Sequence, residues 1–214
     1  MSNNPLPENR PMPNASLRTL LMAIEDVMGA NGAKAVLNLG GLQRYINNYP
    51  PNNLEPDVTM DDYGAAQQAV EDFYGGRGAR AMLTQIGRSL FRYTLEEQPA
   101  ILGLAGLALK LLPRNTRVKL ILNRLADAGT KRLNMDVSVQ EVDDRFYLTY
   151  GACPGLFRQR PEAKNELCCF TTVGVAQEAL RWVSRGKHYR VQQESCKRGG
   201  DGQCRFCIYK KAES

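Results

Sequence analysis

Six cysteines and a single histidine, His188, are the residues of this 214-residue chain best suited to nucleophilic, redox or metal chemistry. Five of them, Cys168, Cys169, Cys196, Cys204 and Cys207, fall in the last quarter of the sequence, and Cys153 lies just upstream before Pro154. One imidazole cannot build a site that needs two, and a Ser-His-Asp or Cys-His catalytic set would have to form around that one ring. Most hydrolase chemistry is thereby disfavoured. At a strand start among polar neighbours, His188 reads as a surface residue, with a role as proton donor or pocket hydrogen-bonder as the sharper alternative.

The thiols are more informative by position than by number. Cys168 and Cys169 fall at the first turn of a predicted helix, where free N–H groups and the positive end of the dipole favour thiolate. Cys196 and Cys204 flank the glycine-rich tip of a predicted hairpin. Three thiolates converging from a helix start and a hairpin mouth suit tetrahedral zinc, with a fourth place for a carboxylate or another cysteine. Glu194 lies two residues before Cys196, so strict strand alternation puts both on one face. The candidate metal set is therefore Cys169, Glu194, Cys196 and Cys204, with Cys168, Cys153 or Cys207 as other fourth ligands. Such a shell is closed to water and substrate, so the zinc would be structural. Cys207, three residues beyond Cys204, should face the other way and pack in the sheet. Two alternatives stay open: buried thiols behaving as small hydrophobes, and a redox disulfide between Cys196 and Cys204.

The elements that must position these residues follow from periodicity. Apolar residues from Ala15 to Met28 recur at helical spacing, ended by Gly29–Gly32, and a short helical piece follows up to Gly40. Residues 47–57 (NNYPPNNLEPD) read as a connector, with a lid as the alternative. Asp61 and Asp62 open a helix to about Tyr74, Gly75–Gly76 introduces a longer one through Leu95, and Pro99 starts another that ends before Pro113. A further helix spans about Thr116 to Lys131. Near Met135 the period changes: residues 135–142 and 145–150 read as a hairpin, 167–183 as a helix apolar on most sides, and 187–195 with 203–209 as a second hairpin. The fold class is α+β, with N-terminal helices packed on an antiparallel sheet of about four strands. The expected divisions are a flexible arm over residues 1–14, a helical part over 15–134 and an α+β part over 135–210.

Composition removes other classes. The net charge of +6 is concentrated in the middle third, yet no long run of adjacent Lys and Arg and little aromatic interleaving accompany it, so no nucleic-acid partner is expected. The longest apolar stretch, Ala100 to Leu109, is shorter than the roughly 20 residues a bilayer span needs, so no transmembrane segment is expected. The polar, proline-rich start lacks an apolar signal region, which points to a cytoplasmic protein with reduced thiols. Gly75-Gly76-Arg77-Gly78 follows a helix and not a strand, so it is no nucleotide fingerprint. Trp182, Tyr189, Phe146 and Tyr150 could line a pocket, but core packing is the commoner role for each.

The C-terminal segments CFTTVGVAQEAL, GKHYRVQQESC and GGDGQCRFCI together resemble the 4-vinyl-reductase domain family. The matching positions are Cys169 with Gly174, Cys196, Gly200-Asp201, Cys204 and Phe206. That family is similar in fold to TRAPP-type trafficking subunits. The resemblance implies a homodimer enclosing an apolar pocket and, as in phenol-responsive regulators of the family, zinc held by the three matching cysteines and a Glu three residues before the second. Gln193 stands at that place here, with Glu194 displaced by one. The resulting expectation is a binding module, sensor or carrier, for a small hydrophobic ligand of hydrocarbon, aromatic or tetrapyrrole-like type. The alternatives are an enzyme or accessory factor in tetrapyrrole vinyl-group reduction, for which no flavin or nicotinamide motif is visible, and a trafficking-type scaffold using Ala100–Leu112 as its interface.

Overall fold

The computed structural model describes residues 10–98, 112–132, 135–151 and 169–213. Helix α1 spans Asn14–Leu39 and is interrupted at Gly29, whose φ of 73° only glycine adopts readily. Its first turn has no side-chain cap. Instead, the connector before the next helix folds back: Glu55 O accepts from Asn14 N and Asn53 O from Ala15 N, each at 2.9 Å. The 47–57 segment therefore serves as the cap of α1, satisfying N–H groups that a helix start leaves free. Pro11–Met12 (β1) pairs antiparallel with Val58–Thr59 (β2), and Met12 is fully buried, so the end of the arm is anchored.

Helix α2 spans Met60–Glu97, with Thr59 as N-cap accepting from Asp62 N and a break at Gly75. Helix α3 spans Arg114–Arg132. The expected helix from Pro99 through Leu112 lies almost wholly outside the described residues. Strands β3 (Val137–Glu141) and β4 (Arg145–Tyr150) form the first hairpin, helix α4 spans Phe170–Val183, and β5 (His188–Ser195) and β6 (Cys204–Glu213) form the second. The order across the sheet is β3-β4-β6-β5, antiparallel throughout. The fold is thus α+β, with helices on an antiparallel four-stranded sheet and a second, two-stranded sheet. No helix among the described residues is long and apolar enough to cross a membrane.

Among the described residues, two apolar clusters form the core. One unites α1, α2 and the β1–β2 pair; the other lies between the sheet, α3 and α4, with Phe91 of α2 at its edge. Helices α2 and α4 join the clusters and meet backbone to backbone at Gly87 and Gly174. A Cβ at Gly87 would lie 2.1 Å from Thr171 O, and one at Gly174 would lie 2.1 Å from Thr84 O. Glycine at both points permits this approach, and it fixes where the start of α4 stands over the sheet.

Candidate thiol centre

Cys169 occupies the N-cap position of α4, Cys196 follows the end of β5, and Cys204 opens β6. Their Sγ atoms all lie within 4.8 Å of one another, and all three residues are buried. The Cys169 and Cys204 sulfurs are 3.8 Å apart. Between Cys196 and Cys204 the chain makes a tight turn that begins with Lys197–Gly199 and places Gly200 at φ 106°. Asp201 Oδ2 accepts from Cys196 N at 2.7 Å, Cys196 O accepts from Gly199 N at 2.9 Å, and Cys204 Sγ accepts from Lys197 N at 3.3 Å. The turn thus presents two sulfurs on a backbone held by its own hydrogen bonds. The third arrives with a helix whose position is set by the glycine crossing.

The fourth place differs from the expected one. Gln193 and Ser195 pair with the adjacent residues Phe206 and Arg205, so β5 carries an extra residue opposite β6 at Glu194. Such a bulge breaks the two-residue period on which the Glu194 assignment rested. Gln193 is buried, and its Oε1 accepts from Cys169 N at 3.0 Å. Glu194 is exposed on the opposite face, with its carboxylate 3.9 Å from Arg205 Nε. Cys207 shares that outer face. Burial, followed by the negative charge of Glu194, pushes the Cys207 thiol above its ordinary value. Cys153 and Cys168 lie outside the described residues.

Two phenols, Tyr150 and Tyr63, are buried on this side. Burial, then the nearness of Tyr63, Cys169 and Cys204, holds the Tyr150 hydroxyl far above the usual tyrosine range, and burial does the same for Tyr63. Both stay neutral. Phe146, Tyr150, Tyr189 and Cys169 belong to the core cluster beside the sheet, whereas Trp182 is exposed and meets the cluster edge through Phe91 at 6.2 Å between ring centroids. His188 is exposed at the start of β5.

No protein-family model matches the chain, and no curated protein matches it. Solved structures do. A point mutant of the Tt H-NOX domain superposes with a TM-score of 0.60 at 14% identity, covering 95% of this chain and 97% of that one. A mutant of T. Tengcongensis H-NOX gives 0.59 at 14% identity over 94% of this chain and 99% of that chain. An oxygen-binding H-NOX domain related to soluble guanylate cyclases gives 0.55 at 14% identity over 91% and 93%. The likeness is one of fold.

These findings correct two expectations. The resemblance to 4-vinyl-reductase domains and TRAPP-type subunits is not upheld: no model of either family matches, and the structural neighbours are H-NOX domains. Its motif residues have local structural reasons instead. Gly174 lies at a helix crossing, Gly200 and Asp201 make a turn, and Phe206 is core. The structural zinc is corrected as well. Among the described residues no carboxylate joins the three sulfurs: Glu194 stands across the sheet, and Gln193 brings a neutral amide already engaged by Cys169 N. The work describing the neighbours names heme as their group.

Proposed function

We propose that this chain is a small-ligand-binding domain acting as a sensor or carrier. The observation that carries the reading is the match of nearly the whole chain to domains described as binding oxygen and heme. Heme held by an imidazole is a poor fit to the residues present. Its usual protein ligands are His, Cys, Met or Tyr. The sole histidine is exposed at a strand start, and three buried cysteines face one another across a shared centre. A domain of this fold without a buried imidazole is suited to an apolar ligand of hydrocarbon or aromatic type, held mainly by desolvated contacts.

Organic extraction of the purified protein followed by mass spectrometry, together with titration of hemin into the same preparation, tests this. The expected result is a stoichiometric apolar compound in the extract and no sharp Soret band at one equivalent of hemin. A tight one-to-one heme complex, or an empty protein that shows no saturable uptake of an aromatic fluorophore, would overturn the apolar-ligand reading.

A second reading concerns the thiol centre. Three sulfurs without a carboxylate suit a soft monovalent ion of the copper(I) type, which thiolates select. In this reading Cys169, Cys196 and Cys204 are the donors, and Glu194 takes no part. An ion bound there would bridge the start of α4 and the tip of the second hairpin.

A further inference from the structure

The middle of α2 stands clear of the body of the molecule. Successive helical residues point about 100° apart, so a helix lying on a core alternates exposed residues with buried ones. The seven residues from Asp72 to Gly78 depart from that pattern, being exposed one after another. No side of the helix rests on the remainder of the fold there. A Cβ built at Gly75 or Gly76 would accordingly meet nothing within 4 Å. Gly75 also breaks the helix, at φ 68° and ψ 162°, so the two halves of α2 join in an open elbow.

The elbow carries two large rings. Phe73 and Tyr74 are 51% and 38% exposed, with ring centroids 5.1 Å apart in an edge arrangement. Apolar surface gathered at one exposed point, and not scattered singly, is characteristic of a contact surface. Its flank is cationic. Arg77 and Arg80 are exposed three residues apart, Arg80 with its guanidinium carbon 5.4 Å from the centre of the Phe170 ring. The adjacent carboxylates are engaged within the fold: Glu71 pairs with Arg198, and Asp72 accepts from Gln68 Nε2 at 3.0 Å.

The shape narrows what can cover this point. Stable protein interfaces engage about 20–30 residues on each side, far more than one projecting elbow presents. A bilayer makes no such demand, because headgroups and acyl chains close around a protrusion. Aromatic rings settle at headgroup level, and arginine lays its stem along apolar surface while its charge stays in the polar layer. Anionic lipids complement the two guanidinium groups.

We propose that the elbow of α2 docks on an anionic membrane surface, with Phe73 and Tyr74 among the headgroups and Arg77 and Arg80 against the lipid phosphates. The attachment is peripheral, and it is independent of both ligand readings above.

Co-sedimentation of the full chain with vesicles of phosphatidylcholine and phosphatidylserine, mixed at roughly 3:1, tests this. The expected result is saturable binding in the millimolar lipid range that falls with added salt and is about fivefold or more weaker on phosphatidylcholine alone. Phe73→Ser combined with Tyr74→Ser should weaken binding about tenfold or more, with the circular dichroism spectrum unchanged. Arg77→Gln should weaken it about fivefold. Hydrogen exchange on the wild-type chain gives a reading that needs no variant: amides 72–78 should gain protection when vesicles are added. Absence of binding, binding that the double variant leaves intact, or protection confined to other segments would overturn the proposal. So would a dimer in light scattering that Phe73→Ser dissociates, since that result assigns the elbow to a second copy of the chain.

Discussion

Gln193 and Glu194 are neighbours in the chain and stand on opposite sides of the sheet, one amide beside the thiols and one carboxylate beside Arg205. Strict alternation assigns them the other way round. The pairing register with β6 reverses the assignment, and no local pattern in the sequence announces a bulge, because it depends on which residues of the partner strand are engaged. The approach of the thiols was easier to foresee, since a helix start and the two sides of a hairpin tip are positions that local signals locate. If the three sulfurs take copper(I), titration against a competing chelator should show one equivalent bound. Cys196→Ser should then weaken uptake by at least the ~10–100-fold that loss of an outer-shell partner already costs, whereas Glu194→Gln should leave it unchanged.

At the level of elements, the described helices and both hairpins were legible from apolar spacing, caps and turn residues. The breaks at Gly29 and Gly75 fall where the glycines suggested, although each helix resumes directly afterwards. What spacing could not show is the reason for Gly87 and Gly174. Both look like neutral interruptions of helical runs, and only the crossing of α2 over α4 reveals that neither tolerates a methyl group. Gly174→Ala is expected to lower stability by about 1–3 kcal/mol or more, read as a reduced urea midpoint at unchanged slope. Gly202→Ala is the control, since a Cβ there meets nothing within 4 Å.

On the scale of the whole molecule, the α+β class follows from the order of periodic segments, but the sheet order β3-β4-β6-β5 does not. It requires β4 to pair with β6 across the intervening helix and strand. The contact between hairpin tip and helical layer was equally hidden. Arg198, in a stretch that reads as a plain polar loop, is buried and gives Nη1 to Glu71 Oε2 at 2.7 Å across 127 residues. Because the Arg198 side chain is 4% exposed, removing Glu71 takes away the carboxylate that faces a buried charge. Glu71→Ala is therefore expected to destabilise the fold by about 3 kcal/mol in chemical denaturation. The double change Glu71→Ala with Arg198→Met should recover part of that loss, whereas simple additivity would show that the pair is not coupled.

The extra residue in β5 also bears on any attempt to transplant this hairpin into another scaffold. A copy trimmed to regular pleating would keep every cysteine in the sequence and lose the shared centre, because the strand would rotate half a turn before reaching the tip. The irregularity at Glu194 belongs to the recipe as much as the sulfurs do.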